Sequence, residues 1–145
     1  TRSIFAGTVL MDFMLDTNIC IYIIKIKPID VIKRFNQTRI SQIGISSITL
    51  SELLYGVFKS SNPERNHMAL MQFIAPLEIS PYSDEAAQYY GNLRAHLEKQ
   101  GTTIGALDML IAAHALSLAC TLITNNEKEF IRVPNLKLEN WASGK

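Results

Sequence analysis

Short apolar runs alternate with helix-patterned segments along this chain. Runs of strand length occur at residues 11–16, 43–46, 77–80, 121–124 and, more weakly, 136–138. Between them, hydrophobic residues recur at helical spacing, which predicts helices around residues 19–24, 31–35, 50–57, 64–74, 84–100 and 106–118. Strands and helices therefore alternate from one end of the pattern to the other.

Several helix starts and buried faces follow from the same pattern. Thr17 is expected to cap the first helix, because a side-chain oxygen there can accept from a free backbone N–H. By the same reasoning Ser46 or Ser47 caps the third helix, and Ser83 or Asp84 caps the fifth. The third helix has one apolar stripe, made of Leu50, Leu53, Leu54 and Val57. The last has a shared face made of Leu107, Leu110, Ile111, His114 and Leu118.

This alternation predicts an α/β domain with a central parallel sheet of four to five short strands flanked by helices. Parallel neighbours need crossover connections, and helices supply them. Functional crevices in such open sheets lie beyond the carboxyl ends of the strands. Chemistry is therefore expected where the strands at residues 11–16 and 121–124 end.

Composition narrows the class of protein. The chain has 145 residues, of which 48% are hydrophobic and 19% charged, as expected for one folded domain. Its 14 Lys and Arg nearly balance 13 Asp and Glu, so contact with nucleic acid would need a local basic patch. Cys20 and Cys120 lie in apolar runs without metal-site spacing and are predicted to be reduced core residues.

The ends of the chain and its location are treated separately. Residues 1–10 precede Met11 and are interpreted as either an expression remnant or an upstream translated stretch, which leaves a single domain over residues 11–145. The longest apolar run, residues 19–24, is far shorter than the roughly 18 residues of a membrane span. We expect a cytoplasmic protein that does not contact a membrane.

Acidic residues occur where the edge of the sheet should open. Asp16 ends the first strand, and Asn126 and Glu129 follow the fourth. Asp108 lies in the first turn of its helix, where the helix dipole favours negative charge. Carboxylates gathered without matching cations repel one another, and a hard divalent cation such as Mg²⁺ or Mn²⁺ relieves that repulsion. Such an ion suits phosphodiester hydrolysis.

Two residues have competing interpretations at this point. Glu52 faces away from the apolar stripe of its helix, which fits either a solvated surface glutamate or a residue of a cleft. His114 lies on an apolar face, which favours a packed, hydrogen-bonded core histidine over a catalytic one. Glycine-rich nucleotide loops, a GxSxG elbow and an HExxH pair do not occur in the sequence.

Four ordered blocks carry a family resemblance. They are MLDTN at residues 14–18, SSITLSEL at 46–53 with Tyr55 and Gly56 after it, GALD and IAAHA between 105 and 115, and ITNNEKEF at 123–130. In this order they resemble the PIN-domain ribonucleases, and among them the VapC toxins of type II toxin–antitoxin systems. The resemblance extends over residues 11–141.

The resemblance implies a set of site residues. The acidic quartet that coordinates Mg²⁺ or Mn²⁺ would be Asp16, Glu52, Asp108 and Glu129. The resemblance thus changes the interpretation of Glu52 from a surface residue to a ligand of the site. Many relatives carry an aspartate where this chain has Asn126, so either Glu129 or Asn126 is the fourth group of the site. The residues expected to orient ligands or water are Thr17, Asn18, Thr124 and Asn126.

The resemblance also implies an activity and partners. The activity would be metal-dependent endoribonuclease cleavage of structured RNA, with transfer RNA as the expected target, which inhibits translation. A VapB-like antitoxin would neutralise it, a homodimer is expected, and operator DNA would be bound only through the antitoxin. Candidate RNA-binding cations are Lys25, Lys27, Lys33, Arg34, Lys59, Arg65 and Arg94.

Two alternatives remain open. One is a catalytically inactive PIN-like module that binds RNA or a partner. The other is a magnesium-dependent phosphatase or a response-regulator-like acidic pocket on a similar sheet, although the spacing of a phosphorylated aspartate and a nearby lysine that it needs does not stand out in the sequence.

Overall fold

The computed structural model describes residues 11–143, so residues 1–10, expected to be a remnant or an upstream stretch, lie outside it. The strands are β1 (Phe13–Leu15), β2 (Ile43–Ser46), β3 (Glu78–Ser80), β4 (Thr121–Ile123) and β5 (Lys137–Glu139). The helices are α1 (Thr17–Lys25), α2 (Ile29–Gln37), α3 (Ser47–Lys59), α4 (Pro63–Ile74), α5 (Asp84–Gln100), α6 (Ala106–Leu118) and α7 (Glu127–Phe130). Short 3-10 turns occupy Ile40–Gln42 and Trp141–Ser143.

The sheet confirms the predicted α/β class. Its strand order is β3-β2-β1-β4-β5, and every neighbouring pair is parallel. The order reverses at β1, because β2 and β3 lie on one side of it and β4 and β5 on the other. A ligand crevice is expected at such a reversal, outside the carboxyl ends of β1 and β4.

Two hydrophobic clusters cover the two faces of the sheet. Leu15 and Ile123 belong to the cluster beneath α1–α4, whereas Met14 and Leu122 belong to the cluster beneath α5 and α6. Neighbouring residues of a strand point to opposite faces, so both faces of these central strands are buried. The two predicted core cysteines are free and buried. No helix within residues 11–143 combines the length and apolarity needed to cross a bilayer.

Several predicted details need correction. Asp16, not Thr17, caps α1, because its side chain accepts from the N–H of Ile19. For the two ambiguous caps, the side chains that accept are those of Ser46 and Ser83. Leu107 is predicted on the buried face of α6 but is 47% exposed. It lies in the first turn, at the open edge of the sheet, whereas the middle of α6 packs against β4, α3 and α5.

The core interpretation of His114 is confirmed. The ring is 1% exposed, with Nδ1 2.8 Å from Ser46 Oγ and Nε2 3.1 Å from Ser80 Oγ. Tyr82 packs edge-on against it, with ring centroids 5.6 Å apart. Burial lowers the pKa of His114 to about 4, so the ring is neutral near pH 7. It joins α6 to β2 and β3.

Candidate active site

Asp16 lies at the point where the strand order reverses. Its backbone N–H donates to Ile123 of β4 at 3.0 Å, and its carboxylate accepts from the N–H of Ile19 at 3.0 Å. Burial raises the pKa of Asp16, and the hydrogen bond from the Thr124 side chain opposes that shift. The negative charge of Glu52 raises it further, so Asp16 and Glu52 interact.

Glu52 is held against the same edge from α3. Its Oε1 accepts a 2.5 Å hydrogen bond from the hydroxyl of Thr17, and its side chain is half-buried. The surface interpretation of Glu52 is therefore wrong. A helical wheel assigns the face opposite the apolar stripe to solvent, but the start of α1 covers that face here.

Asp108 and Glu129 form the other half of the acidic region. Asp108 lies in the first turn of α6 and Glu129 in the one-turn helix α7, which replaces part of the expected polar loop. Their side chains share a hydrogen bond. Burial raises the pKa of Asp108 to about 7, with further contributions first from Glu129 and then from Asp16 and Glu52. The other three acids thus all act on the carboxyl group of Asp108.

Glu129 is fixed by two donors, Asn126, which the sequence analysis named, and Gly105, which it did not. The backbone N–H of Gly105 donates to its Oε1 at 2.5 Å, and the amide of Asn126 donates to its Oε2 at 3.0 Å. These bonds lower the pKa of Glu129. A Cβ at position 105 would lie 3.3 Å from Glu129 Oε1, so glycine suits this close approach. In the sequence, Gly105 stands just before α6, the helix that carries Asp108. That position alone does not indicate that its N–H donates to Glu129.

The expected supporting residues have distinct positions. Thr124 bonds to Asp16, and its Oγ1 also accepts from the backbone N–H of Asn126 at 2.9 Å. Asn126 contacts Glu129 directly, and Thr17 holds Glu52. Asn18 differs, because its backbone N–H donates a hydrogen bond to Asp16 while its side chain is exposed.

The donor chemistry fits a divalent cation. Within residues 11–143, no three His, Cys, Asp or Glu side chains are already arranged to hold a metal ion, and Glu52 and Glu129 instead accept hydrogen bonds from Thr17 and Gly105. The four groups are nevertheless hard oxygen donors, and their charges oppose ionisation of Asp108. A divalent cation would remove that opposition, so the residues present suit Mg²⁺ or Mn²⁺.

Comparison with known proteins decides the family. Residues 13–136 match the PIN domain. Over 133 residues the chain is 46% identical to Ribonuclease VapC2 of Haemophilus influenzae, covering 92% of this chain and 100% of the relative. The tRNA(fMet)-specific endonuclease VapC of Salmonella typhimurium gives the same identity and coverage. The chain belongs to the VapC ribonucleases of the PIN domain family.

Solved VapC-containing complexes share the fold. The DNA-bound VapBC of Salmonella typhimurium aligns with a TM-score of 0.86 and 46% identity, over 91% of this chain and 99% of that one. VapBC2 of Rickettsia felis, bound to a promoter DNA fragment, aligns with a TM-score of 0.82 and 47% identity, over 89% and 98%. The VapC resemblance of the sequence blocks is thereby confirmed.

Two of the expected RNA-binding cations form salt bridges with acidic side chains of the described residues. Arg34 Nη2 lies 2.6 Å from Glu139 Oε1, and its guanidinium stacks 5.5 Å from the ring centroid of Trp141. Arg94 pairs with Glu98 at 3.0 Å on α5. Arg34 therefore joins α2 to the end of β5 and to the 3-10 turn that follows, which accounts for its charge without RNA.

Proposed function

We propose that Asp16, Glu52, Asp108 and Glu129 hold Mg²⁺ or Mn²⁺ and that the chain uses this site to cleave structured RNA, with residues 11–145 as its single domain. The supporting observation is that the fold fixes Asp16 and Glu52 on one side of the crevice and Glu129 beside Asp108 on the other, close enough for the other three acids, together with burial, to raise the pKa of Asp108 to about 7. A carboxyl group under this influence favours binding of a cation.

Each side chain would have a definite task. Asp16, fixed by Ile19 and Thr124, and Glu52, fixed by Thr17, would present oxygens from one side of the crevice. Asp108 and Glu129 would do so from the other side, with Gly105 and Asn126 preventing rotation of Glu129. The ion, when bound, supplies a Lewis acid and the positive charge that a phosphodiester requires.

The proposed substrate is transfer RNA, in the cytoplasm. The Salmonella relative is named as a tRNA(fMet)-specific endonuclease. The whole of that relative aligns with 92% of this chain. Cleavage of a transfer RNA would inhibit translation. The identity of the individual transfer RNA is best determined by sequencing the cut ends.

The proposed partners are a VapB-like antitoxin and a second copy of this chain. An apolar groove between α1, α3 and α4 opens beside the site and is lined by Glu52 with Ile21, Leu53, Val57 and Leu70. This juxtaposition of an acid with apolar walls suits an antitoxin segment that carries both apolar and basic side chains. Operator DNA would then be bound through the antitoxin.

Cleavage with a charge-matched control tests the proposal. Purified chain free of antitoxin is incubated with total RNA or transfer RNA, with Mg²⁺, Mn²⁺ or a chelator. We expect discrete fragments only with metal and intact Asp16, so Asp16→Asn should be inactive. Asp84→Asn, which changes an exposed first-turn aspartate of α5, should cut normally. RNA that is bound but never cut would instead support the catalytically inactive module.

A further inference from the structure

A second cavity lies beside the acids at the carboxyl end of α1. Its volume is about 550 Å³, within the ~300–1,000 Å³ typical of ligand sites. The residues that characterise its lining are Ile21, Tyr22, Lys25, Lys27, Pro28 and Asn125. Both lysines reach it because α1 ends in a left-handed turn at Ile26, with φ 58°.

Two residues of this basic cavity, Asn125 and Lys25, connect it with the acidic site. Asn125 stands between Thr124, which bonds to Asp16, and Asn126, which bonds to Glu129. Lys25 also lines the neighbouring groove that contains Glu52. An RNA strand that passes from the acids into the cavity would therefore meet the positive charge of Lys25.

The chemistry of the lining matches one nucleotide. Two ammonium groups can contact phosphate oxygens, which the carboxylates alone would repel. The phenol oxygen of Tyr22 accepts from the Asn125 amide at 2.8 Å, so that bond leaves the phenol hydrogen available to donate to a ligand. Ile21, Pro28 and the ring of Tyr22 supply an apolar wall for a ribose or base.

We propose that this basic cavity binds a single-stranded nucleotide of the RNA next to the scissile bond, with Lys25 and Lys27 contacting phosphate and Tyr22 donating to it. The proposal rests on the proposed function, because it identifies where the substrate of that site continues. It makes these three residues substrate-binding groups, outside the acidic quartet.

Salt dependence of RNA binding tests the two lysines. A short, labelled, mixed-sequence single-stranded RNA is titrated with wild type, Lys25→Gln, Lys27→Gln and the control Lys99→Gln, in chelator and at several KCl concentrations. For each lysine cavity variant, the logarithm of the RNA association constant should depend less steeply on the logarithm of the salt concentration, with a slope smaller by about 0.7. Neutralising one phosphate of a single strand contributes that much to the slope. Lys99 is an exposed lysine at the end of α5, and its variant should keep the wild-type slope.

Tyr22→Phe tests the hydroxyl separately. It keeps the ring but removes the donor, so affinity should fall by about tenfold while the salt slope stays unchanged. With metal and cleavable RNA, all three cavity variants should raise KM more than they lower kcat. Thermal melts of each variant check that the fold is retained.

The two proposals fail in different ways. Wild-type slopes in both lysine variants, with RNA still cleaved by the wild type, would overturn the basic cavity and leave the nuclease intact. Uncut RNA together with flattened slopes would overturn the nuclease and leave the cavity as an RNA-binding site.

Discussion

Two buried polar regions lie close to the same sheet and differ in how their groups are balanced. His114 meets two neutral hydroxyls, Ser46 and Ser80, so both ring nitrogens have partners. In the acidic region, Asp108 faces Glu129 and the charges of two further acids. Buried polar groups with complete partners add rigidity, whereas uncompensated like charges cost stability. The first arrangement is structural, and the second stores repulsion that a cation would relieve.

The largest expected effect comes from Asp108→Asn. Cleavage should fall by more than about 100-fold. Removal of a residue that only supports a metal ligand already costs up to about 100-fold, and Asp108 is proposed to hold the metal itself. The folded-state pKa of about 7 lies above the unfolded 3.8, so the unfolded chain loses the Asp108 proton first and the fold loses stability as pH rises from about 4 to 7. In chelator at pH 8 the variant should be more stable by about 2 kcal/mol, allowing for screening, and the gain should vanish near pH 4. Urea unfolding measures this, and a less stable variant at pH 8 would make Asp108 a structural residue.

The opposite result is expected for His114→Ala. Removal of the ring leaves the Ser46 and Ser80 hydroxyls without this partner and creates a void, which should cost about 2 kcal/mol of unfolding free energy. Cleavage per folded molecule should stay within a few-fold of wild type. Ser80→Ala, which removes one of the two bonds, should cost less. Equal stability of His114→Ala and wild type would contradict a structural role.

The pH dependence of stability distinguishes the two regions further. The folded-state pKa of His114, about 4, lies below the unfolded value of 6.5. The unfolded chain therefore binds the proton first, and this histidine destabilises the fold as pH falls from 7 towards 4. Between pH 7 and pH 5, wild type should lose about 1.5 kcal/mol relative to His114→Gln, which lacks that proton. Parallel stability curves for the two proteins would refute the assignment.

The smallest expected effect concerns Thr17→Val. The change keeps the shape of the side chain but removes the donor that holds Glu52, so Mn²⁺ affinity should fall by about tenfold. The measurement is the Mn²⁺ concentration needed to raise the melting temperature. Thr121→Val, at the far end of β4, is the matched control and should retain wild-type affinity. Unchanged affinity in Thr17→Val would mean that Glu52 needs no such support.

Much of the fold could be predicted from the sequence because strand runs and helical spacing are local. All five strands form where the apolar runs occur, and their parallel order follows from the helices between them. Local patterns were insufficient where two adjacent residues could both cap the same helix. Thr17 and Asp16 are both good caps, and the backbone direction after β1 decides between them.

The site was harder to predict because its contacts are distant in sequence. Glu52 entered the site only through the family resemblance, since a helical wheel has no information about α1. The bond from Gly105 to Glu129 spans 24 residues and depends on how α6 and α7 meet. The basic cavity likewise depends on the turn after α1 and the loop after β4. Which distant element covers a face is determined by the packed fold, not by the local pattern.

The late position of β4 in the chain has a consequence for the synthesis of a toxic enzyme. β1 is translated long before β4, its neighbour on one side, and before the segment that carries Glu129. A nascent chain therefore carries isolated acids and no completed cutting centre. The proposed site therefore cannot cut RNA until the segment that carries Glu129 has been translated.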